Sequence, residues 1–585
     1  MSTPLATVSG IASTNGGMIH WFARNTAVSV ITTKSVQVSP NPGNREPIFV
    51  EPEPGSFRNA VGLRNPGLEA TKAELEKLSQ VRKVEPWPAG VLLNVSLAGG
   101  SPEEFATLAR ELRHLADILE LNLSCPHARG NYGSAIGSDP ELVREYTAAV
   151  TAVANGTPVY VKLTPNVADI VPIARAAMAG GATGIVAINT MDPAPYIEEH
   201  SGASVLNNPP EGRGGKSGRW VRHRAIECVA AIRGALGPEV PIIGMGGVES
   251  RDDVTALTEA GASVVGVGSV LARLHQRDWP QFLAMLAGEE GESSGQSVEH
   301  NLSFTAASAK MEMKPAVVTH REEISPELFE IDLALEHPFT YRSGQTCFLW
   351  IPGVGEKPFS PAGAEPLRFL VARRGPFTHA LGTLKLGDTV YVRGPYGTPL
   401  ELPPLRQTAH PTVTDSPASA MAFDIAPVKA PATPPAVLIL AGGSGMALVP
   451  SLVREWSVSG GDITAGIGLR APLTPPPLAR DAFLQAHSSL HYVADDGIPG
   501  RVLELIDNTE ADHIILVGPE PFMAAGVQRA RRAGYDDTQI ILSLEQPMLC
   551  GVGICGACHN NGSLTCHHGT LVTANQWSGG HNYVD

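Results

Sequence analysis

Residues 119–123, Leu-Glu-Leu-Asn-Leu, are followed by a helical pattern at 140–155 and then by residues 158–163, Pro-Val-Tyr-Val-Lys-Leu. The same alternation of a short strand and a longer helix repeats from about residue 25 to residue 275. Repetition over this length predicts a (β/α)8 barrel, and a doubly wound open sheet is the alternative. The other predicted strands are residues 29–33, 91–95, 184–188, 241–244 and 264–267, and the other predicted helices are residues 102–116, 168–179, 222–236 and 252–260.

Polar residues and glycines stand at the ends of these predicted strands, where a barrel carries its chemistry. Asparagine amides have the paired donors and acceptors that suit a planar imide, and lysines suit a flavin ring or its negative charge. Gly246-Gly247 and Gly268-Ser269, which follow the last two strands, are typical of the two halves of a phosphate cradle. A single strand-end asparagine is more often structural, so the set carries the prediction. The strand-end residues are Lys34, Asn94, Asn122, Lys162, Asn189, Thr190, Gly246, Gly247, Gly268 and Ser269.

Length and charge limit the class of protein. A chain of 585 residues is too long for one core, and about 150 residues per domain predicts three or four domains. A formal net charge of −15 at pH 7 argues against a general nucleic-acid binder. The sequence has no signal-peptide pattern and no apolar run near 18 residues, so we expect a cytoplasmic protein without membrane contact.

Four of the seven cysteines lie near the C-terminus with the spacing C-x4-C-x2-C-x7-C. The first three match the opening of the plant-type [2Fe–2S] pattern, in which four thiolates hold a two-iron core. Intervening glycines let backbone amides face the cluster sulfurs. A structural zinc site and free thiols are the alternatives, although zinc usually takes two C-x2-C pairs. The predicted ligands are Cys550, Cys555, Cys558 and Cys566.

The second half changes pattern twice. Short alternating strands over residues 313–405 predict a small antiparallel β-barrel. Residues 437–447 then read as a buried strand that enters the glycine-rich turn Gly442-Gly443-Ser444-Gly445, which predicts a parallel nucleotide-binding domain. Two polar or low-complexity stretches, residues 288–311 and 405–435, read as a linker and a surface insertion.

The first half resembles the class 1 dihydroorotate dehydrogenases over nearly all of residues 1–285. The shared motifs are Thr33-Lys34-Ser35, Gly43-Asn44, the run from Asn59 to Gly67, Leu121-Asn122-Leu123-Ser124-Cys125-Pro126, Lys162-Leu163-Thr164-Pro165-Asn166 and Ile188-Asn189-Thr190. The resemblance implies that Cys125 is the catalytic base. It implies a pyrimidine site formed by Lys34, Asn59, Gly62, Leu63, Asn122, His127, Asn189 and Thr190. It implies an FMN site formed by Ser9, Gly10, Lys34, Asn94, Asn122, Lys162, Ile188, Gly218, Gly246, Gly247, Gly268 and Ser269.

The residues themselves support a base at Cys125 only in part. A thiol works as a base when its pKa lies near the working pH, and lysine and amide donors at a strand-end loop can provide that setting. An inert buried thiol is the alternative, and we assign it to Cys228 and Cys347. His127 stands where the family usually has Asn, and Cys-Pro-His resembles the dihydropyrimidine dehydrogenases that act on uracil and thymine. His127 is therefore either a substrate contact or a hydrogen-bonded loop residue.

Residues 312–577 resemble the ferredoxin-reductase family and, with the terminal cysteines, the iron–sulfur electron-transfer subunit of class 1B dihydroorotate dehydrogenases. Lys357-Pro358-Phe359-Ser360 matches the flavin box with Lys in place of Arg, which is not an equivalent exchange at a bidentate site. Gly375 and Thr378 match a second FAD loop, and Gly442, Gly443 and Gly445 match the nicotinamide-nucleotide region.

Together these resemblances imply a fused, single-chain dihydroorotate dehydrogenase of class 1B type. Electrons would pass from FMN through the [2Fe–2S] cluster and FAD to NAD+, and a homodimer would form through the barrel. The expected segments are residues 1–287 for the FMN barrel, 312–404 for the FAD domain, 436–544 for the NAD domain and 545–585 for the cluster segment. The alternatives are an NAD(P)-linked dihydropyrimidine dehydrogenase and a non-catalytic electron-transfer module.

Overall fold

The computed structural model describes residues 2–124, 134–208, 212–289, 311–401, 435–458, 460–470, 478–479, 481–495 and 500–577. The predicted linker and the predicted insertion lie almost entirely outside the described residues, and so do Cys125 and His127.

The N-terminal half contains the predicted barrel. Its strands in chain order are β1 (Leu5–Thr7), β2 (Val28–Thr32), β3 (Phe49–Glu53), β4 (Ser56–Asn59), β5 (Leu92–Leu97), β6 (Ile118–Asn122), β7 (Val159–Lys162), β8 (Gly184–Ala187), β9 (Met191–Pro195), β10 (Arg213–Gly218), β11 (Ile242–Met245) and β12 (Val264–Val267). Within this described half, eight parallel strands close in the order β1-β12-β11-β8-β7-β6-β5-β2. The barrel prediction is confirmed, and the open-sheet alternative is wrong.

Helices cover the outside of the barrel. They are α1 (Gly16–Asn25), α2 (Leu68–Val84), α3 (Pro102–Leu112), α4 (Ser134–Gly137), α5 (Pro140–Thr151), α6 (Val171–Ala179), α7 (Arg222–Leu236), α8 (Arg251–Glu259) and α9 (Trp279–Ala287). Side chains fix several starts: the hydroxyl of Ser101 accepts the amide of Glu104, and Ser250 and Asp253 form a capping box at α8. These caps satisfy amide groups that the first turn of a helix leaves free.

A second sheet, which the sequence did not reveal, stands at the mouth of the barrel. Strands β3, β4, β10 and β9 pair antiparallel in the order β3-β4-β10-β9. Asn59 ends β4 and lies opposite Gly215 of β10. The sheet therefore brings residues 56–59 and 213–218 to the carboxyl ends of the barrel strands.

The middle of the chain forms an antiparallel sheet. Its elements are β13 (Lys314–Ser325), β14 (Leu328–Leu335), β15 (Thr346–Ile351), β16 (Gly355–Phe359), β17 (Leu367–Ala372), α10 (Pro376–Leu381) and β18 (Thr389–Tyr396). The six strands follow the order β16-β15-β18-β13-β14-β17. The antiparallel pairing agrees with the prediction, whereas closure into a barrel is not seen among the described strands.

The last part of the chain contains a mainly parallel sheet and a short hairpin. The elements are β19 (Val437–Gly442), α11 (Val449–Ser457), β20 (Ile463–Leu469), α12 (Ala482–His487), β21 (Ser489–Ala494), α13 (Leu505–Asn508), β22 (His513–Val517), α14 (Glu520–Arg532), β23 (Ile540–Ser543), β24 (His559–Asn560), β25 (Ser563–Leu564), α15 (Thr565–His568) and β26 (Leu571–Thr573). The sheet has the order β21-β20-β19-β22-β23-β26, and β24 pairs with β25. Strand β26 joins the edge of this sheet antiparallel to β23. Residues 548–566 pack in the same apolar core as the barrel, so the C-terminal segment contacts both halves.

Candidate functional site

A cavity of about 180 Å³ opens at the carboxyl ends of the barrel strands. Almost all the residues predicted for the pyrimidine and FMN sites line it. They are Ser9, Gly10, Lys34, Asn59, Gly62, Leu63, Asn122, Lys162, Ile188, Asn189, Thr190, Gly218, Gly246, Gly247, Gly268 and Ser269. The fold thus brings these residues together from separate strands, as expected for the carboxyl face of a barrel. Their individual roles stay predictions.

Two asparagines of the cavity share one hydroxyl group. The hydroxyl of Ser124 donates to Asn122 Oδ1 at 3.1 Å, and Asn189 Nδ2 donates to the Ser124 hydroxyl at 2.8 Å. Ser124 immediately precedes Cys125, which lies outside the described residues together with His127. Ser124 therefore orients the amide side chains of Asn122 and Asn189, each of which can pair with a planar imide.

Two lysines supply positive charge to the cavity. Lys162 is 5% exposed, and the described residues provide it with no ion-pair or hydrogen-bond partner. The Lys34 side chain runs along Gly10, where a Cβ would lie 2.9 Å from Lys34 Nζ, so a side chain at residue 10 would collide with it. Because a buried ammonium group without an anion is costly, Lys162 fits a negatively charged or electron-rich ligand.

Glycines and hydroxyl groups form the part of the cavity suited to a phosphate. Gly247 has φ +75°, and a Cβ there would lie 2.9 Å from the carbonyl oxygen of Gly218. The hydroxyl groups of Thr190 and Ser217 are buried and have no hydrogen-bond partner in the described structure. Buried hydroxyls of this kind are normally satisfied, so these residues fit a ligand that carries many acceptors, as FMN does.

Asn94 is fully buried and does not line the cavity. Its amide nitrogen donates to Thr32 Oγ1 at 3.2 Å and to Glu120 Oε2 at 3.1 Å. Its side-chain oxygen, Oδ1, is buried and has no hydrogen-bond partner in the described residues. A direct contact between Asn94 and a cofactor therefore stays a prediction.

Two of the four predicted cluster cysteines line the same cavity. Cys550, Ile554 and Cys555 line its wall. The amide N–H groups of Val552 and Cys555 point to Cys550 Sγ at 3.5 Å, and that of Gly553 donates to Cys566 Sγ at 3.2 Å. Backbone amides thus face the sulfurs, as the glycine-rich spacing predicted.

The four thiol groups interact with one another. Burial opposes ionisation of Cys550, but hydrogen bonds from the thiols of Cys555 and Cys566 and from nearby amides hold its pKa well below the usual range. Burial and the bond to Cys550 raise the pKa of Cys566, which also contacts Cys558. The backbone amides and neighbouring thiols therefore favour the ionised form of Cys550.

The sulfurs of Cys550, Cys555, Cys558 and Cys566 are the donors that a metal centre would use. Within the described ranges, no three His, Cys, Asp or Glu side chains are grouped so that they could hold one metal ion. Four cysteines suit either a [2Fe–2S] cluster or a structural zinc, and the cluster stays a prediction.

Barrel residues anchor the cluster segment, a contact that the sequence did not indicate. The amide of Ala12 donates to the carbonyl of Ile554 at 2.8 Å. Gln276, which is 2% exposed, donates to the carbonyl of Gly562 at 2.7 Å and accepts the amide of Leu564 at 2.8 Å. These bonds fix residues 554–564 against the barrel at Ala12 and Gln276.

A buried ion pair joins the middle sheet to the same loop. Arg393 donates to both carboxylate oxygens of Glu356 at 2.6 and 2.7 Å, and neither side chain is more than 1% exposed. Arg393 also donates to the hydroxyl of Tyr396 at 2.6 Å and to the carbonyl of Cys550 at 2.9 Å. The loop is therefore held from both sides.

The predicted FAD residues of the middle sheet lie on two neighbouring elements, β16 and α10, and their role stays a prediction. Lys357 Nζ lies 3.0 Å from Glu46 Oε2 of the barrel half, so it forms an ion pair between the two halves. Phe359 packs against the rings of Phe369 and Phe377. The hydroxyl of Thr378 accepts the amide of Gly375 at 3.1 Å and so caps its own turn.

A second cavity of about 620 Å³ lies between the middle sheet and the parallel sheet. Gly442 and Gly443 line it together with Arg373 and Arg374. Gly445 instead packs against the backbone carbonyl of Val517. The cavity lies at the carboxyl ends of β19 and β22, where open parallel sheets bind nucleotides.

Among the described helices, none has the length and apolar character needed to cross a membrane.

Comparison with known proteins gives matches to the N-terminal half. A family model described as dihydroorotate dehydrogenase matches residues 1–279. A dihydroorotate dehydrogenase B (NAD(+)) catalytic subunit from Methanosarcina acetivorans is 42% identical over 272 residues, which are 46% of this chain and 82% of the relative. Similar catalytic subunits are 43% identical in Methanosarcina mazei, over the same shares, and 38% identical in Pyrococcus abyssi, over 50% of this chain and 92% of the relative.

Proposed function

Because the chain belongs to the dihydroorotate dehydrogenase family, a family of oxidoreductases, we propose that it oxidises dihydroorotate to orotate with FMN in the barrel cavity. The single observation that carries the proposal is the cavity itself, in which the predicted asparagines, lysines and glycines meet. This reaction belongs to the synthesis of pyrimidines.

The residues at the barrel cavity have separate proposed roles. Asn59, Asn122 and Asn189 would bind the pyrimidine ring through paired donors and acceptors. FMN, when bound, would supply the acceptor for the hydride that leaves C6. Cys125 would remove the proton from C5, and Lys162 would offset negative charge that develops near it.

We infer further that electrons leave the cavity through the terminal cysteines. Cys550 and Cys555 line the cavity wall, so a cluster held by Cys550, Cys555, Cys558 and Cys566 would lie beside the flavin site. The proposed order of carriers is FMN, [2Fe–2S], FAD and NAD+. The cavity at Gly442 and Gly443 would hold the nicotinamide nucleotide, and the FAD site and a homodimer are proposed from the family resemblance.

Anaerobic bleaching of the bound flavin tests the substrate. We expect dihydroorotate to bleach it rapidly and dihydrouracil to leave it oxidised, since the relatives are dihydroorotate dehydrogenases. Cys125→Ala should abolish bleaching by dihydroorotate but keep flavin reduction by NADH, and Cys228→Ala, a substitution of a buried thiol in α7, is the matched control. Bleaching by dihydrouracil alone would contradict the proposed substrate. Loss of both activities in Cys125→Ala would contradict the division of the chain into two redox halves.

Visible and paramagnetic resonance spectra test the proposed carriers. A [2Fe–2S] centre should appear on reduction and should be lost in Cys555→Ser, with flavin absorbance retained. A purified chain that contains zinc, or flavin without iron and sulfide, would refute the cluster while leaving the substrate test unaffected.

A further inference from the structure

A carboxyl group lies inside the barrel, behind the cavity. Glu120 is 0% exposed, and its position in β6 places it on the same strand face as Asn122 of the cavity. Its Oε1 accepts the hydroxyl of Ser96 at 2.9 Å, and its Oε2 accepts the amide of Asn94 at 3.1 Å. In the described part of the chain, no lysine, arginine or histidine lies within ion-pair distance of it. A charged group buried without a cation is costly, so packing alone does not explain a glutamate here.

A row of hydroxyl groups joins Glu120 to the cavity. Ser96 Oγ lies 2.9 Å from Ser35 Oγ, and Ser35 Oγ lies 3.0 Å from Ser9 Oγ. Ser35 and Ser9 line the cavity, whereas Ser96 is fully buried. The row therefore connects the half-buried hydroxyl of Ser9 with the carboxyl group of Glu120, which solvent does not reach.

The direction of the hydrogen bonds follows from counting hydrogens. Each serine hydroxyl has one hydrogen, and Ser96 donates its hydrogen to Glu120. Ser35 must then donate to Ser96, and Ser9 must donate to Ser35. The amide of Asn122 also donates to Ser35 at 2.9 Å, which agrees with this direction. All three O–H groups point from the cavity toward the carboxylate, the arrangement that lets a proton move inward by one shift at each oxygen.

The proposed function, on which this inference rests, creates a need for such a path. A hydride is one proton and two electrons, and an iron–sulfur cluster carries electrons only. When the electrons leave one at a time, the proton remains in the cavity and must bind to the protein or to solvent. We propose that Glu120 receives this proton through Ser35 and Ser96 and returns it along the same hydroxyls to solvent once the product has left. O–H bonds form and break along the row, and no residue in it is oxidised or reduced.

Two variants interrupt the path at different points. Glu120→Gln removes the proton acceptor but keeps an oxygen for Ser96, and Ser96→Ala removes the middle hydroxyl but keeps the carboxyl group. Thr147→Val is the matched control, because Thr147 has a fully buried hydroxyl in α5 that bonds its own helix and lies off the row. All three are made in the full-length, flavin-loaded chain, and thermal unfolding checks that each folds.

The measurements separate proton movement from substrate chemistry. Stopped-flow spectra give the rate of flavin bleaching by dihydroorotate and the rate of its reoxidation by NAD+. We expect the ratio of the second rate to the first to fall at least tenfold in both path variants and to stay unchanged in Thr147→Val. Time-resolved infrared difference spectra of the dithionite-reduced wild type, recorded during reoxidation by NAD+, should show the transient signal of a protonated carboxyl group that Glu120→Gln lacks.

Each result decides the proposal. The proposal is overturned if folded Ser96→Ala keeps the rate ratio of the wild type. It is also overturned if the wild-type infrared spectrum lacks the carboxyl signal. If Glu120→Gln does not fold, the rate ratio of Ser96→Ala decides. If dihydroorotate does not bleach the wild type, the proposed substrate fails. The dithionite-initiated infrared comparison still tests the hydroxyl path in that case.

Discussion

Replacing Glu356 by Gln should destabilise the contact between the middle sheet and the cysteine loop. The Arg393–Glu356 pair is buried and bidentate, and the substitution leaves the guanidinium group with its charge uncompensated. Removing one partner of such a pair costs about 3–5 kcal/mol. For a domain of 150–250 residues, each kcal/mol shifts the melting temperature by about 2–4 °C, so we expect a decrease of roughly 6–20 °C.

The double variant Glu356→Leu, Arg393→Met separates charge from packing. It removes both charges, and its remaining losses are the hydrogen bonds from Arg393 to the carbonyl of Cys550 and to the hydroxyl of Tyr396. Apolar residues in place of a buried ion pair are often neutral or stabilising by about 1–4 kcal/mol, which offsets these losses, so the double variant should be more stable than Glu356→Gln. Differential scanning calorimetry measures the melting temperatures, and hydrogen exchange of peptides that contain residues 548–558 reports the loop. A melting temperature of Glu356→Gln within about 2 °C of that of the wild type would refute this prediction. A melting temperature of the double variant below that of Glu356→Gln would also refute it.

Three further substitutions test other contacts. Gln276→Leu removes two bonds to the backbone of the cluster segment; we expect faster hydrogen exchange there and at least tenfold slower electron transfer to NAD+, whereas exchange equal to the wild type would contradict the anchoring role. Gly247→Val places a side chain at φ +75° against the carbonyl of Gly218 and should weaken FMN binding at least tenfold in a fluorescence titration, with Gly237→Ala as the control in open space. Burial opposes ionisation of Glu198, but the amides of His200 and Ser201 hold its pKa at about 2, below its unfolded value; its stabilisation is therefore present above pH 4.5 and is lost as the pH falls toward 2. The melting temperature of the wild type should consequently fall more steeply with decreasing pH over this range than that of Glu198→Gln. Equal pH dependence of the two melting temperatures would refute this role of Glu198.

The barrel could be predicted because its strands are buried on both faces and read as short β-branched runs between helical patterns. Strand β1 was not predicted, since Leu5–Thr7 is too short to show a pattern. The sheet at the mouth was also missed, because β10 has the sequence Arg-Gly-Gly-Lys-Ser-Gly and no alternation of apolar and polar residues. Its pairing with β4 depends on contacts more than 150 residues apart along the chain.

The sequence could predict those residues of the candidate site that stand at the ends of barrel strands. Strand-end residues such as Lys34 and Asn189 meet because all barrel strands end at one face. The placement of Cys550 and Cys555 in the same cavity wall depends on how the C-terminal segment packs on the barrel, which no local pattern encodes. The partner of Lys357 was hidden for the same reason, since Glu46 lies in the other half of the chain.

The position of the cysteine loop also has a consequence for biosynthesis. The barrel elements end at Ala287, and about 260 further residues must be translated before Cys550 leaves the ribosome. At roughly 5–20 residues per second, the apolar surface that the loop covers waits between about ten and fifty seconds. A nascent barrel therefore exposes an unfinished wall beside its cavity throughout the synthesis of the second half. Chaperone binding and flavin loading have this interval in which to act, before the last residues of the chain close the site.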